Sequence, residues 1–244
     1  IQVIVGDIFD PSIPGEGGWL YRTANRLHIN TRDKVIRNQL LFRPGEPYLH
    51  RVVQETERIL RANDYLNDAV IRPVAWDGRK VDLEVRTRDT WTLNPGVNFS
   101  RTGGENEYAV QIQEKNLLGR GQGLELEWQS DASRESLTLS FSDPHFVKSF
   151  TRLAVAYSDA SDGSTKYFNL DRPFYALDTR WSAGTALSDS DFDVERWELG
   201  KRVGKFETQA QYYQVNGGWS AGLQDGWVRR WTYGATYQQN DFEP

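Results

Sequence analysis

The hydrophobic pattern changes its period near Trp91, and this change limits what the chain can fold into. Before Trp91, alternating apolar residues are followed by apolar residues spaced by three and four, which predicts a mixed α and β domain. After Trp91, apolar and polar residues alternate in about ten segments, which is typical of β-strands. We therefore expect an α+β domain over residues 1–90 and an antiparallel β domain over residues 91–244.

The first part is expected to have the order strand, helix, helix, strand, strand. Residues 1–5 alternate as a strand does, and an additional short helix is expected over residues 19–27. Thr31 is expected to cap a helix that Pro44 ends, and apolar spacings of three and four predict the next helix over residues 49–60. Each helix has one apolar face, which is expected to be buried.

Two strands over residues 69–75 and 80–86 complete this part, and Asp77-Gly78 is expected to form the two-residue turn between them. Pro73 lacks a backbone donor, so its strand should lie at a sheet edge. An exposed edge can accept an extended peptide as an added strand. The residues expected to dock such a peptide are Val70, Ile71, Arg72, Pro73 and Val74. The alternative is an edge that Arg72 and Pro73 simply protect from pairing.

The second part has one apolar and one polar face. Tyr108, Val110 and Ile112 alternate with Gln111 and Gln113, and similar alternation recurs in the later segments. Connections rich in Gly, Pro and aromatic residues lie at 116–122, 142–149 and 171–179, and purely polar ones at 101–105, 130–135 and 158–164. The two kinds are expected at opposite ends of a barrel. Alternation alone is shared by a membrane barrel and a soluble sandwich, so both remain open here.

Composition excludes several classes of function. No apolar run approaches the roughly 18 residues that a membrane-spanning helix needs. The chain has no Cys and three His, which excludes thiol chemistry and leaves little material for a metal site. Its 29 Lys and Arg against 34 Asp and Glu give a net charge of -5, which does not predict a nucleic-acid surface. We expect no metal, no cofactor and no nucleic-acid partner.

Two glycine-rich motifs resemble sequences that carry chemistry in other folds. Residues 218–222 (GWSAG) fit the nucleophile-elbow pattern, but all three histidines precede Ser220 and no helix follows, so we expect a loop between strands. Residues 119–123 (GRGQG) precede a strand rather than a helix, so they offer no helix N-terminus to a phosphate. We therefore expect that the protein is not an enzyme.

Three further motifs are similar to those of one family. Residues 42–48 (FRPGEPY), between the two predicted helices, resemble the Phe-x-x-Gly-x-x-Tyr segment of POTRA domains. After the second strand of the β part stands a turn motif, Asn116-Leu117-Leu118-Gly119-Arg120-Gly121, and the fourth strand closes with Asp143-Pro144-His145-Phe146. Both resemble elements of the Omp85 superfamily, the outer-membrane insertases and translocators in which POTRA domains precede a β-barrel.

The resemblance implies a fold and a location. It implies a POTRA-like periplasmic domain over residues 1–90, followed by antiparallel transmembrane β-barrel strands over residues 91–244. About ten of the roughly sixteen strands expected for the family are visible in the sequence. We therefore expect the chain to be the amino-terminal part of a longer outer-membrane protein, in a Gram-negative type of cell envelope.

The resemblance also implies a non-enzymatic function, the insertion, assembly or translocation of polypeptides at the outer membrane. Its expected partners are outer-membrane lipid, extended client polypeptides, further POTRA domains and accessory lipoproteins. The first barrel strand would form a gate, with residues Asn94, Pro95, Gly96, Val97, Asn98 and Phe99. Pro95 removes a ladder donor and Gly96 has no side chain, so pairing with the closing strand should be weak. The alternative is a kink where the chain enters the membrane.

Two other functions remain open from the sequence. One is a barrel that serves as an anchor or pore for another activity, with the first domain as a spacer. The other is a soluble β-rich ligand-binding protein, because a half-buried soluble sheet has the same period.

Overall fold

A computed structural model describes residues 1–102, 105–131, 133–199 and 201–243. The chain forms two compact units. The first comprises Ile1–Leu93 together with the short segments Glu114–Gln122 and Val147–Ser149. The second comprises the remaining residues after Leu93. Most of the described chain is antiparallel β-sheet, and its described helices, including a 3₁₀ turn over Leu117–Gly119, lie in the first unit.

In the described residues the first unit has a three-stranded sheet, three α-helices and one 3₁₀ turn. Its elements are β1 (Gln2–Gly6), α1 (Trp19–Leu27), α2 (Asp33–Arg37), α3 (His50–Arg61), β2 (Leu66–Trp76) and β3 (Val81–Asp89). The sheet order is β1-β3-β2, with β1 parallel and β2 antiparallel to the central strand β3. The position of β2 at a sheet edge agrees with the reading of Pro73, because proline cannot donate to a ladder.

The core of the first unit lies between α3 and the sheet. Apolar residues on α3 recur at the spacing of a helix face, whereas those on β3 alternate, so both elements present one buried side. Full burial of one such side chain contributes about 1.5–3 kcal/mol. The buried cluster consists of Ile36, Val53, Leu60, Tyr65, Leu66, Ala69, Ile71, Leu83 and Val85.

The prediction for the helix after Thr31 was wrong in its cap and its length. Helix α2 has only five residues, is preceded by Arg32 at the N-cap position, and has no side-chain capping bond. It ends at Arg37, so Pro44 does not end it. The Thr31 hydroxyl instead accepts a hydrogen bond from Asn116 Nδ2 at 2.9 Å, a contact between residues 85 positions apart.

The hairpin between β2 and β3 is shifted by one residue from the expected turn. Asp77 N donates to the Lys80 carbonyl oxygen at 3.2 Å, so the two central residues are Gly78 and Arg79. Gly78 has a φ of +90°, which favours glycine. The Asp77 carboxylate accepts from the N–H groups of Lys80 at 2.6 Å and Arg79 at 2.9 Å. These bonds hold the pKa of Asp77 below its usual range.

The second unit is built on a single antiparallel meander. Its strands are β4 (Leu93–Thr102), β5 (Glu105–Glu114), β6 (Gly123–Ser130), β7 (Glu135–Phe146), β8 (Thr151–Ala160), β9 (Gly163–Arg172), β10 (Trp181–Glu198), β11 (Lys201–Gln224) and β12 (Trp227–Glu243). Strands adjacent in sequence are adjacent in the sheet. Within the described residues β4 and β12 are the two edges, so the sheet is not closed into a barrel.

The described part of the sheet has nine strands, and the sequence pattern predicts about ten. The difference arises at Trp197 and Leu199, because the alternation of apolar and polar residues predicts a separate strand there. Strand β10 instead runs without interruption for 18 residues through the acidic stretch before Trp197. Residues 218–222, expected to be a loop, lie within the 24-residue strand β11, where the pairing is irregular between Ser220 and Leu223.

Strand registers align apolar residues in one continuous row across seven strands. Each residue of the row lies directly opposite the next: Leu124, Phe141, Val155, Phe168, Leu187, Tyr213 and Tyr237. Four of them expose more than a third of their area: Leu124, Leu187, Tyr213 and Tyr237. Because side chains alternate between faces, the residues between them form a second, mostly polar face. The predicted two-faced sheet is therefore present, with a largely uncovered apolar side.

Among the helices that the structure describes, none has both the length and the apolar character needed to cross a membrane.

Candidate functional site

The β2 edge is the first candidate site, and part of it is accessible. Ala69 and Ile71 point into the core, whereas residues 72–76 are exposed. Val74 is 56% exposed and Trp76 is 78% exposed. The pairing of β2 with β3 is regular from Asp68 to Pro73 and shifts between Pro73 and Ala75. Docking of a peptide by Val70–Val74 remains a prediction.

The outer side of β2 carries two carboxylates on its backbone N–H groups. Ile71 N donates to Glu57 Oε1 of α3 at 2.6 Å, and Ala69 N donates to Asp68 Oδ1 at 2.8 Å. Arg61 joins the two carboxylates, because its guanidinium donates to Glu57 Oε2 and to Asp68 Oδ1, each at 3.2 Å. The edge is therefore occupied at these two positions by groups of the same chain.

The expected gate strand is the second candidate, and it forms the first edge of the nine-stranded sheet. All of its predicted residues, 94–99, lie in β4. Val97 is 82% exposed and Phe99 is 60% exposed. A Cβ on Gly96 would lie 2.7 Å from Gln111 Cγ, so the absence of a side chain at Gly96 leaves room for the Gln111 side chain beside β4. Weak pairing with a closing strand remains a prediction.

The turn motif after β5 packs within the first unit, and Asn116 is its centre. Asn116 is 2% exposed. Its Nδ2 donates to Thr31 Oγ1 at 2.9 Å, and its Oδ1 accepts from Gly121 N at 2.7 Å. The Gly119 carbonyl oxygen accepts from Arg32 N at 2.9 Å. The amide side chain thus fixes the shape of the turn and attaches it to the segment before α2.

Glycine is required twice in this turn. Gly119 and Gly121 have φ values of +70° and +69°, in the left-handed region. A Cβ on Gly119 would overlap the Asn30 carbonyl oxygen, and a Cβ on Gly121 would lie 2.9 Å from the Tyr65 hydroxyl oxygen. Leu118 also adopts a positive φ, of 54°, and is half exposed. Leu117, the remaining motif residue, donates its N–H to Gln122 O at 2.8 Å.

The second family-like element lies at the end of a strand rather than in a turn. Asp143, Pro144 and Phe146 are among the last four residues of β7, and the pairing with β8 shifts between Asp143 and Phe146. Asp143 Oδ1 accepts from His145 N at 2.9 Å. The turn itself follows at residues 147–150, where Val147 and Lys148 adopt positive φ. Pro144 therefore closes the regular part of the ladder.

The chain resembles known proteins in part of its sequence and in its fold. No family model matches the chain. A protein of Treponema pallidum (strain Nichols) described as "Putative outer membrane protein assembly factor" is 27% identical over an alignment of 127 residues that covers 49% of this chain and 15% of that protein. The resemblance to the Omp85 superfamily is confirmed. The structure of BamA from Haemophilus ducreyi lacking POTRA domains 1–3 is matched over 99% of this chain and 56% of that one, with 15% identity and a TM-score of 0.46.

The matched region thus covers about a seventh of the length of the Treponema relative, and about half of the BamA chain. In this Omp85-like chain, the serine of the GWSAG motif lies within strand β11. Ser220 is fully buried, and its hydroxyl donates to the Arg229 carbonyl oxygen at 2.8 Å. The described residues contain no group of three His, Cys, Asp or Glu side chains that could hold a metal ion.

Sequence reasoning missed four residues that organise the first unit: His28, Glu57, Asp68 and Asp89. Asp89 is fully buried at the end of β3, and its Oδ2 accepts from Thr31 N at 2.6 Å and lies 3.0 Å from His28 Nε2. One signal was available, because Leu83, Val85, Thr87 and Asp89 continue the alternation of the buried side of β3. A carboxylate at a buried position of a strand requires hydrogen-bond donors around it.

Proposed function

We propose that this chain is part of an Omp85-type outer-membrane protein that assists insertion, assembly or translocation of polypeptides, and that it contains the amino-terminal part of the barrel. Residues 1–90 would form a POTRA-like domain in the periplasm, and residues 91–244 the first strands of a transmembrane barrel. The activity would be non-enzymatic and would need no cofactor, because it consists of backbone pairing. Support comes from the described role of the Treponema relative and from the turn motifs.

The observation that carries this proposal is the uncovered apolar face of the nine-stranded sheet. Soluble monomers rarely expose contiguous apolar patches larger than a few hundred Å². Here the apolar row crosses seven strands, and Trp181, Trp219 and Trp231 form a second row at the level of the β9–β10 connection. Lipid covers such a face in outer-membrane barrels, where strands alternate apolar and polar residues. We therefore assign the apolar side to lipid.

The polar ends of the long strands fit the same assignment. A transmembrane strand needs about 9–11 residues, whereas β10 and β11 have 18 and 24. After Ser188 the strand carries Asp189, Asp191 and Asp193, and Phe192 and Val194 lie among these acidic residues. We infer that this far part of the β10–β11 hairpin extends beyond the membrane. The turn after β5 lies at the other end of the meander, which would be periplasmic.

The proposed mechanism has two steps, and each uses an edge of a sheet. Strand β2 would capture an extended client segment by strand addition, which needs no strict client sequence. Strand β4 would then exchange its partner at the seam of the completed barrel. Pro95 weakens that seam because it supplies no donor.

Heat-modifiable mobility on a denaturing gel tests the barrel. We expect the full-length gene product to fractionate with the outer membrane and to migrate differently before and after boiling, because a closed barrel resists detergent when unheated. A soluble protein without a mobility shift would contradict the proposed function. The measurement is a gel of fractionated membranes, boiled and unboiled.

Replacing Pro95 with valine tests the gate. Valine supplies the missing N–H and favours the strand conformation, so pairing of β4 should be strengthened by about 1 kcal/mol. We expect client assembly by the full-length protein to slow by about fivefold, since 1.4 kcal/mol corresponds to a factor of about ten. The measurement is the rate at which newly made outer-membrane proteins become heat-modifiable.

Pro173→Val provides the matched control, because Pro173 lies between β9 and β10 and outside either strand. Client assembly should keep its rate in this variant. If Pro95→Val left the rate unchanged too, β4 would not be the weak seam, although the barrel assignment would stand.

A further inference from the structure

On the outer side of β2, three successive positions have no backbone N–H group that is free to bond with an added strand. Backbone N–H groups of a strand alternate between its two sides, and pairing is regular from Asp68 to Pro73. Ile71 N and Ala69 N point to the outer side, because they donate to Glu57 and Asp68. Pro73 is the next outward position and has no N–H. An added strand would therefore find no free donor at residues 69, 71 and 73.

This arrangement removes one of the two kinds of bond that strand addition uses. In an antiparallel pair, facing residues exchange both N–H···O bonds. A client strand could donate its own N–H groups to the carbonyl oxygens of β2, but its carbonyl oxygens would have no partner. Half of the ladder bonds over this segment would be lost. The predicted docking segment, residues 70–74, includes the closed positions 71 and 73.

Several contacts stabilise the hydrogen bond from Ile71 N to Glu57. Its 2.6 Å distance to Ile71 N is in the short range of charge-assisted hydrogen bonds. The Glu57 side chain is 17% exposed and forms an i,i+4 ion pair with Arg61, which also contacts Asp68. Helix α3 in turn packs its apolar face on β2. We call Glu57, Arg61 and Asp68 the carboxylate clasp.

We propose that the carboxylate clasp regulates strand addition at β2, so that a client segment pairs with this edge only after Glu57 leaves Ile71 N. This inference rests on the proposed function and concerns the control of its capture step. The clasp acts as an internal competitor: Glu57 occupies a donor that a client carbonyl would need. It would also protect the edge from pairing with unrelated strands while no client is present.

A binding experiment on the full-length protein in detergent micelles tests the clasp. The probe is a fluorescein-labelled peptide with the sequence of residues 105–114, an alternating strand of this chain. We expect Glu57→Ala to bind the probe about tenfold more tightly than the unmodified protein, because a charge-assisted bond no longer has to be broken. Glu57→Gln retains an uncharged acceptor and should lie between the two.

Glu84→Ala is the matched control, since Glu84 lies on the central strand β3, where its carboxylate pairs with Arg86 and accepts from none of the outward N–H groups of β2 at residues 69 and 71. It should bind the probe as the unmodified protein does. Amide hydrogen exchange gives a second readout. The Ile71 amide should exchange faster in Glu57→Ala and become protected again when the probe is added, while core amides such as that of Val85 show that the variant is folded.

Each outcome decides between the clasp and the capture step. Tighter binding by Glu57→Ala, with protection at Ile71, supports the clasp. Equal binding by Glu57→Ala and the unmodified protein, with the probe mapped to β2, overturns the clasp and leaves capture intact. Absence of binding by every variant overturns the clasp and removes β2 as the capture site, whereas the outer-membrane assignment is tested separately by heat-modifiable mobility.

Discussion

Replacing Asp89 with alanine is expected to destabilise the first unit by roughly 2–5 kcal/mol, because a buried polar group that loses its hydrogen-bond partner costs about 1–3 kcal/mol and Asp89 has two such partners. Asp89 is fully buried, and its Oδ2 accepts from Thr31 N and contacts His28 Nε2. Alanine would leave both of these buried groups without their partner. It would also loosen the segment to which Asn116 attaches, because Asn116 bonds to the Thr31 hydroxyl.

Asp82→Ala provides the control, because Asp82 lies on the same strand and is exposed. Its replacement should change stability by no more than about 0.5 kcal/mol. The measurement is urea titration of the whole protein in micelles, with a protease pulse that cleaves the unfolded first unit. Similar midpoints for the two variants would show that the buried carboxylate contributes no more than a surface group does.

Asp89 also shows how far the sequence pattern extends and where it fails. Alternation identified the central strand, and it placed Val81, Leu83 and Val85 on one face. The expected strand ended at Arg86, because Thr87 and Asp89 are polar residues at buried positions. Their burial depends on partners such as His28, 61 residues earlier in the chain, and such long-range pairing is not visible in a local pattern.

Thr31 illustrates a local rule that a distant contact overrides. Threonine before an apolar helical pattern is a favourable capping residue, which is why it is expected to cap. In the structure its hydroxyl accepts from Asn116 and its N–H donates to Asp89. Both partners come from elements that follow it by more than 50 residues, so the capping role is replaced by tertiary hydrogen bonds. The family-like motif over residues 116–121 includes Asn116, one of the two residues in the hydrogen bond to the Thr31 hydroxyl.

The β10 region shows the limit of counting strands from hydrophobicity. Polar and acidic residues between Leu187 and Trp197 have the composition of a loop, yet β10 continues through them with a regular register against β11. Backbone pairing with the long neighbour β11 continues through this stretch, where Phe192 and Val194 are the apolar residues and Val194 lies opposite Phe206. Counting apolar segments therefore divides one strand into two, and this accounts for the difference between about ten predicted strands and the nine in the part of the chain that the structure describes.

The β2 edge combines a correct prediction with an unpredicted feature. Pro73 correctly indicated an edge, because the reason is a property of proline itself. The occupation of Ile71 N by Glu57 depends on how α3 lies along β2, and only tertiary structure defines that. The surface pattern of α3 has many charged residues, and nothing in their spacing distinguishes Glu57 from Glu55. Whether a client strand uses this edge remains a proposal.

Replacing Gly119 with alanine is expected to destabilise the first unit by about 3 kcal/mol. Of this, a positive φ at a residue with a Cβ costs about 1–2 kcal/mol. The remainder comes from overlap between the new Cβ and the Asn30 carbonyl oxygen, which is backbone and can move only with its segment. Such a movement would break the bond from Arg32 N to the Gly119 carbonyl oxygen.

Gly45→Ala separates the two contributions. Gly45 has a φ of +90°, and a Cβ there would meet nothing within 4 Å, so only the backbone cost should appear. The measurement is the same urea titration, and the difference between the two variants reports the steric contact alone. Equal destabilisation of the two variants would mean that the turn moves away from Asn30 at no cost. In that case residues 116–121 would not be fixed to the first unit, and Asn116 could not connect the β5–β6 turn to the segment before α2.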